Sequence, residues 1–289
     1  MIRLLNASGC LDALAAPDVA RALDVFVTKT VTPLARQGNP PVRIAETDRG
    51  MLNSIGLQNP GLDRFVDEHL PRLRELGVPL WVSVGGFRAG DYAEGCEALA
   101  AEPGIEAIEL NVSCPNVEEA AGTVAQLVAA ARAAATLPLY VKLSPAVPDV
   151  AELARAAEAA GADGLTLVNT IRGLALDHTL RPRLARAVGG YSGPALKPVA
   201  LAAVHACRRA SALPIVGVGG VMNGRDALEF VAVGANAVAL GTVLFTDPDA
   251  PGRIRAELAA EAAAVGLADP TDAWGVAHSD VPDPVGTRN

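Results

Sequence analysis

No two of the four cysteines, Cys10, Cys96, Cys114 and Cys207, stand in a CxxC pair. A cysteine-ligated iron–sulfur cluster or structural zinc within this chain is therefore not expected. A disulfide framework is not expected either, given 289 residues and no export signal. The four histidines, His69, His178, His205 and His278, show no HExxH or similar spacing, so no metal site is predicted. Basic charge is short as well: Lys and Arg number 24 against 32 Asp and Glu, for a net charge of −8. With no basic face to offset that balance, a nucleic-acid partner is excluded. No stretch approaches the roughly 18 uninterrupted apolar residues of a membrane span, and Met1–Leu5 runs directly into Asn6 without a signal-peptide core. The expectation is a cytoplasmic protein with no membrane segment. What the chain does have, 51% hydrophobic against 19% charged residues, suits a soluble protein with a large core. Its length allows one large α/β barrel or two ordinary domains.

Short apolar runs alternate with amphipathic stretches, the pattern of βα units around a parallel sheet. The runs are Leu4–Ser8, Val25–Thr30, Leu80–Val84, Ile105–Val112, Leu139–Leu143, Gly164–Asn169, Ile215–Val218 and Ala237–Leu240. Eight strands, each followed by a helical segment, is the count of a closed (β/α)8 TIM barrel. A doubly wound sheet would carry GxGxxG in its first turn, which Asn6–Cys10 does not. A partial repeat supports the barrel: Ala160-Gly161-Ala162-Asp163-Gly164 and Val233-Gly234-Ala235-Asn236-Ala237 each close a helix and open a strand, and Leu137-Pro138 and Leu213-Pro214 each precede a strand. The excursions Val31–Pro60 and Ile171–Pro198 are long enough to read as functional loops over the active face. The barrel is expected over residues 1–266, and residues 267–289, rich in Pro, Asp and Gly, read as a loosely held C-terminal tail.

Polar residues gather at the C-terminal ends of the expected strands, where barrel enzymes build their sites. Ser8-Gly9, Lys29-Thr30, Asn111 to Asn116, Lys142, Asn169-Thr170, Gly219-Gly220 and Gly241-Thr242 all fall there. A lysine ending an apolar strand, as in Leu139-Tyr140-Val141-Lys142, is costly to desolvate without an anionic partner. Glycines after the seventh and eighth strands let backbone N–H groups approach a phosphate, and the helix N-terminus that follows favours its charge. In Asn111-Val112-Ser113-Cys114-Pro115-Asn116 a thiol just past a strand end is flanked by two amides, a setting for a polar ligand. These features fit flavin mononucleotide, and they fit a sugar-phosphate enzyme equally well.

Several longer motifs narrow the choice: Arg43-Ile44-Ala45-Glu46-Thr47, the run from Met51 to Gly61, Asn111–Asn116, Val141-Lys142-Leu143-Ser144-Pro145, the run from Gly161 to Thr170, and Ser192-Gly193-Pro194-Ala195 followed by Leu196-Lys197-Pro198. In these the chain resembles the class 1 dihydroorotate dehydrogenases, most closely their B-type (NAD-linked) catalytic subunit, from about Asn6 to about Pro251. The resemblance implies oxidation of (S)-dihydroorotate to orotate in pyrimidine (UMP) synthesis, with FMN as cofactor. Cys114 would be the base that removes the C5 proton while hydride leaves C6 for the flavin. Substrate would be held by Lys29, Asn53, Ser54, Ile55, Gly56, Leu57, Asn111, Asn116, Asn169 and Thr170. FMN would be held by Ser8, Gly9, Lys29, Thr30, Ser83, Asn111, Lys142, Val168, Gly193, Gly219, Gly220, Gly241 and Thr242. The resemblance further implies a homodimeric core and an electron-transfer subunit carrying FAD and a 2Fe–2S cluster.

The chain also departs from that pattern. Ser83 stands where relatives carry Asn, Arg172 stands where an apolar residue is usual, and Val117–Gly122 leads almost directly into a helix where relatives have a longer covering loop. The lead-in before the first strand is short. A shorter cover should exclude water less well. These departures keep two alternatives in view: a paralogous FMN oxidoreductase of another small cyclic substrate, and a non-catalytic barrel subunit. A direct soluble electron acceptor such as fumarate is the alternative to NAD.

Overall fold

A computed structural model describes residues 1–113 and 120–279. Its strands, in chain order, are β1 (Arg3–Asn6), β2 (Phe26–Val27), β3 (Ile44–Thr47), β4 (Gly50–Asn53), β5 (Leu80–Val84) and β6 (Ile105–Asn111). They continue with β7 (Leu139–Leu143), β8 (Gly164–Leu167), β9 (Ile171–Leu174), β10 (Val188–Ser192), β11 (Ile215–Val218) and β12 (Ala237–Leu240). Eight of them pair in the order β1-β12-β11-β8-β7-β6-β5-β2, every pairing parallel. A parallel bridge between Leu5 and Val25 joins the two ends of that order, completing the (β/α)8 barrel. Asn6, 1% exposed, reinforces the seam. Its Nδ2 donates to Val27 O at 2.8 Å and its Oδ1 accepts from Val27 N at 2.8 Å.

Side chains alternate across each strand, and the two faces build two cores. Leu4, Phe26, Val82, Ile108, Leu110, Val141, Leu165, Ile215 and Val238 face the helices and belong to the large cluster between barrel and helix ring. Leu5, Val25, Val27, Trp81, Ala107, Val216, Val218 and Ala239 form a separate cluster that fills the barrel interior, the layered packing of this architecture. Trp81 and Tyr140 meet there with ring centroids 4.2 Å apart. The partial repeat has a structural counterpart. Arg132 Nη2 donates to the carbonyls of Ala135 and Leu137, and Arg208 Nη2 donates to those of Ser211 and Leu213. Each arginine thus ties the end of its helix to the strand entry that follows.

The two long excursions are more ordered than the loop reading of the sequence. Each supplies two strands, and together they make a four-stranded antiparallel sheet in the order β3-β4-β10-β9 at the rim. The pairing joins residues far apart in sequence, such as Asn53 with Gly190 and Leu52 with Tyr191. At the C-terminus, the described part of the expected tail packs on the barrel. Ala273 is buried, Gly275 N donates to Val231 O at 3.2 Å, and His278 Nε2 lies 3.0 Å from Val233 O. Among the described residues no helix is long and apolar enough to cross a membrane.

Candidate active site

The C-terminal ends of the barrel strands and the small sheet enclose a cavity of about 1010 Å³. Its wall includes Ser8, Gly9, Lys29, Thr30, Asn53, Ser54, Ile55, Gly56, Leu57, Asn111, Lys142, Val168, Asn169, Thr170, Gly193, Gly219, Gly220, Gly241 and Thr242. Residues nominated on seven different strand ends and two long connections therefore converge on one space. Cys114 and Asn116 lie outside the described residues, as do residues 117–119 of the shortened segment after them. Ser113, which leads into Cys114, is on the cavity wall, and its buried Oγ has no hydrogen-bond partner among the described residues.

Ser83 is the exception among the nominated positions. It is fully buried, with 0% exposure, one layer below the wall. Its backbone N–H donates to Thr28 Oγ1 at 3.1 Å, and its hydroxyl lies 3.1 Å from Thr30 Oγ1 and 3.3 Å from Glu109 Oε1. The register explains this. Ser83 pairs with Glu109, Asn111 with Lys142, and Lys142 with Thr166, so these side chains form a polar layer above the apolar filling of the barrel. Lys142 is 5% exposed and Glu109 2%. Lys142 Nζ donates to Ser8 Oγ at 3.0 Å and faces Glu109 Oε1 at 3.9 Å. The anionic partner that a buried strand-end lysine needs is thus Glu109, which the sequence reading missed.

The wall above this layer is made of amides. Asn111 Nδ2 donates to Thr30 Oγ1 at 3.1 Å, Asn169 Nδ2 donates to Asn111 Oδ1 at 3.2 Å, and Thr170 N donates to Asn169 Oδ1 at 2.8 Å. Across the cavity, Asn53 Nδ2 donates to Gly190 O at 3.3 Å. Asn39, another residue the sequence reading passed over, donates from Nδ2 to Ser54 Oγ at 2.9 Å. The glycines on the opposite side form a close backbone cradle. Gly220 has φ +76°, and a Cβ there would stand 2.8 Å from Gly193 O and 2.9 Å from Lys197 N. Only glycine fits that turn without backbone movement.

Three further features of the wall carried no sequence signal or only a weak one. Cys10 lines the cavity, but its Sγ donates to Ala7 O at 2.9 Å, and burial pushes its thiol up to about 12 despite the opposing field of Lys142. That setting disfavours its thiolate. Arg172 and Arg186 line the outer wall and form no ion pair among the described residues, leaving positive charge at the mouth of an acidic protein. Arg36 also lines the wall and stacks its guanidinium on Phe87, 4.7 Å from the ring centroid.

A family model described as Dihydroorotate dehydrogenase matches residues 3–261. Among curated relatives, the protein named dihydroorotate dehydrogenase B (NAD(+)), catalytic subunit, of Listeria welshimeri is 48% identical over 234 residues, 78% of this chain and 77% of the relative. The protein of the same name from Halalkalibacterium halodurans is likewise 48% identical, over 78% of this chain and 77% of that one. Its namesake in Geobacillus kaustophilus is 45% identical over 258 residues, 85% of this chain and 82% of the relative. Among solved structures, DHODH from Eimeria tenella in complex with ferulenol has a TM-score of 0.78 at 22% identity. That likeness covers 96% of this chain and 86% of the other and is one of fold.

Proposed function

The chain belongs to the dihydroorotate dehydrogenase family, oxidoreductases of pyrimidine biosynthesis, and from that premise we propose that it is the catalytic subunit of a B-type enzyme, oxidising (S)-dihydroorotate to orotate with FMN. The observation that carries this reading is the convergence of Lys29, Asn53, Asn111, Asn169 and Thr170 with Lys142 and the glycine cradle around one cavity. FMN is the cofactor that family membership implies, and the residues present fit it. The buried Lys142 suits an electron-accepting heterocycle on which negative charge grows during reduction. The turns at Gly219-Gly220 and Gly241-Thr242 suit a phosphate monoester, and Gly220 leaves no room for a side chain that would close the cradle. When bound, FMN supplies a two-electron hydride acceptor.

The chain's own residues do the rest. Lys29 and the amides of Asn53, Asn111 and Asn169 hold the pyrimidine and its carboxylate, with Ser54, backbone from Ile55 to Leu57, Asn116 and Thr170 assisting. Cys114 takes the C5 proton, and the electron pair left at C5 becomes the second bond of the C5–C6 double bond as hydride leaves C6. The alternative thiol on the wall, Cys10, is disfavoured because burial holds it protonated. The barrel of residues 1–266 works as one domain, in the cytoplasm, within a homodimeric core. The name of these relatives, with NAD(+) and "catalytic subunit", supports a separate electron-transfer subunit, carrying FAD and a 2Fe–2S cluster, as the route to NAD.

The test is to load the purified chain with FMN, remove the excess, and add dihydroorotate without oxygen. Wild-type protein is expected to stay yellow after desalting and to bleach. Cys114→Ser should retain the flavin and bleach at least about 100-fold more slowly, the usual scale for losing a general base. Colourless protein after loading, or bleaching of Cys114→Ser at the wild-type rate, overturns the reading.

A further inference from the structure

We propose that Glu109 is a positioning residue: it is the terminal acceptor of a one-way hydrogen-bond chain that fixes the orientation of the two amides, Asn111 and Asn169, on the substrate wall. The dihydroorotate reading supplies only the ligand's name; the chain itself is built from the donors and acceptors within the barrel.

The direction of every link follows from one carboxylate. Glu109, paired with the Lys142 ammonium, offers acceptors alone. The Ser83 hydroxyl, 3.3 Å from Glu109 Oε1, must donate to it. A hydroxyl has one hydrogen, so Ser83 can only accept from Thr30, whose Oγ1 lies 3.1 Å away. The Thr30 hydrogen is spent in turn, and the contact at 3.1 Å must come from Asn111 Nδ2. That leaves Asn111 Oδ1 toward Asn169, whose Nδ2 donates at 3.2 Å. At the far end the backbone N–H of Thr170, a group that only donates, reaches Asn169 Oδ1 at 2.8 Å. A pure donor and a pure acceptor thus stand at opposite ends, and every intervening group is turned the same way.

An amide flipped by half a turn fills the same volume but exchanges donor for acceptor, so packing alone would not choose. The chain chooses the sense of both amides, and its links leave Asn169 a second N–H and a second lone pair. Hydrogen bonds aligned in one sense also polarise one another. The anionic end makes Asn111 Oδ1 the stronger acceptor for the Asn169 N–H. Burial of Ser83 and Glu109 keeps water from substituting for either link. In this account Ser83 acts through Thr30 and Asn111 rather than by touching cofactor or substrate.

The experiment is a double-mutant cycle on orotate binding in the FMN-loaded protein, read from the flavin absorbance change. Glu109→Gln removes the charge at constant volume. Ser83→Ala cuts the chain and leaves the Glu109–Lys142 pair in place. Glu109→Gln should weaken orotate at least about fivefold when Ser83 is present, and by less than half that factor in the Ser83→Ala background. Equal weakening in both backgrounds overturns the proposal, because Glu109 would then act through Lys142 or the fold at large. A second readout needs no ligand: the side-chain amide protons of Asn111, assigned with Asn111→Asp, should exchange slowly in wild type and faster in both variants. Unchanged exchange overturns the proposal as well. Wild-type protein that ignores orotate sinks the functional reading, and the amide exchange still decides the hydrogen-bond chain.

Discussion

Replacing Lys142 by Met leaves the Glu109 carboxylate alone inside the barrel. The two side chains are 7% and 3% exposed, and their charged atoms stand 3.9 Å apart. At an effective dielectric constant of about 20 their attraction is about 4 kcal/mol. Removing one partner of such a pair costs roughly 3–5 kcal/mol, because the remaining charge stays desolvated without compensation. Removing both charges restores most of that loss. Urea unfolding of the cofactor-free chain provides the assay, followed at Trp81, which is 4% exposed and sits in the interior cluster below the polar layer. Lys142→Met should lose about 3–5 kcal/mol of stability, and Lys142→Met combined with Glu109→Gln should regain more than half of it. If Lys142→Met lies within about 1 kcal/mol of wild type, or if the double variant is no better than the single one, the buried pair is not the electrostatic centre of the polar layer.

Other expectations follow from the same geometry. Gly220→Ala places a Cβ at 2.8 Å from Gly193 O with φ +76°. It should lower stability by about 1–3 kcal/mol and weaken FMN retention on desalting, whereas Gly241→Ala, whose Cβ would meet only Ala7 Cβ at 3.8 Å, should be tolerated. Burial pushes the thiols of Cys10, Cys96 and Cys207 each up to about 12. Iodoacetamide near neutral pH, read by mass spectrometry, should therefore modify Cys114 alone, with orotate protecting it; modification of Cys10 at a comparable rate would contradict the account. His205 is held below its ordinary 6.5 by burial and by the stacked His278 and Arg209. A depressed histidine favours the neutral form in the fold, so its stabilisation is complete above 6.5 and falls as pH drops below that value. Amide protection over residues 267–279, corrected for the intrinsic exchange rate, should fall as pH drops below 6.5, and His205→Gln should remove that step.

The barrel was legible because apolar strand runs and their intervals are local signals, and the polar strand ends were legible because charge and amides interrupt those runs. The small sheet was not. β4 and β10 are joined by hydrogen bonds between residues near 52 and near 191, and β10 carries Gly189-Gly190 just after its first residue, which reads as loop in isolation. Glu109 was hidden for a different reason. In Ile105-Glu106-Ala107-Ile108-Glu109-Leu110 both acids look like the solvated side of a strand. Glu106 is exposed, pairing with Arg3 at 2.7 Å and accepting from Trp81 Nε1 at 3.3 Å, while Glu109 is buried in the polar layer. The register slip opposite Leu80 and Trp81, which passes over Glu106, blurs the alternation further. The same desolvation argument that singled out Lys142 would have asked for its counter-charge.

The central claim, a flavin-dependent oxidation of dihydroorotate, is tested most directly by anaerobic single turnover. FMN-loaded wild-type protein is mixed with dihydroorotate and, separately, with dihydrouracil, while flavin absorbance and orotate formation are followed together. The account predicts one orotate formed per flavin reduced with dihydroorotate, and slow or no reduction with dihydrouracil. Flavin that stays oxidised with dihydroorotate, or that is reduced equally fast by dihydrouracil, contradicts it.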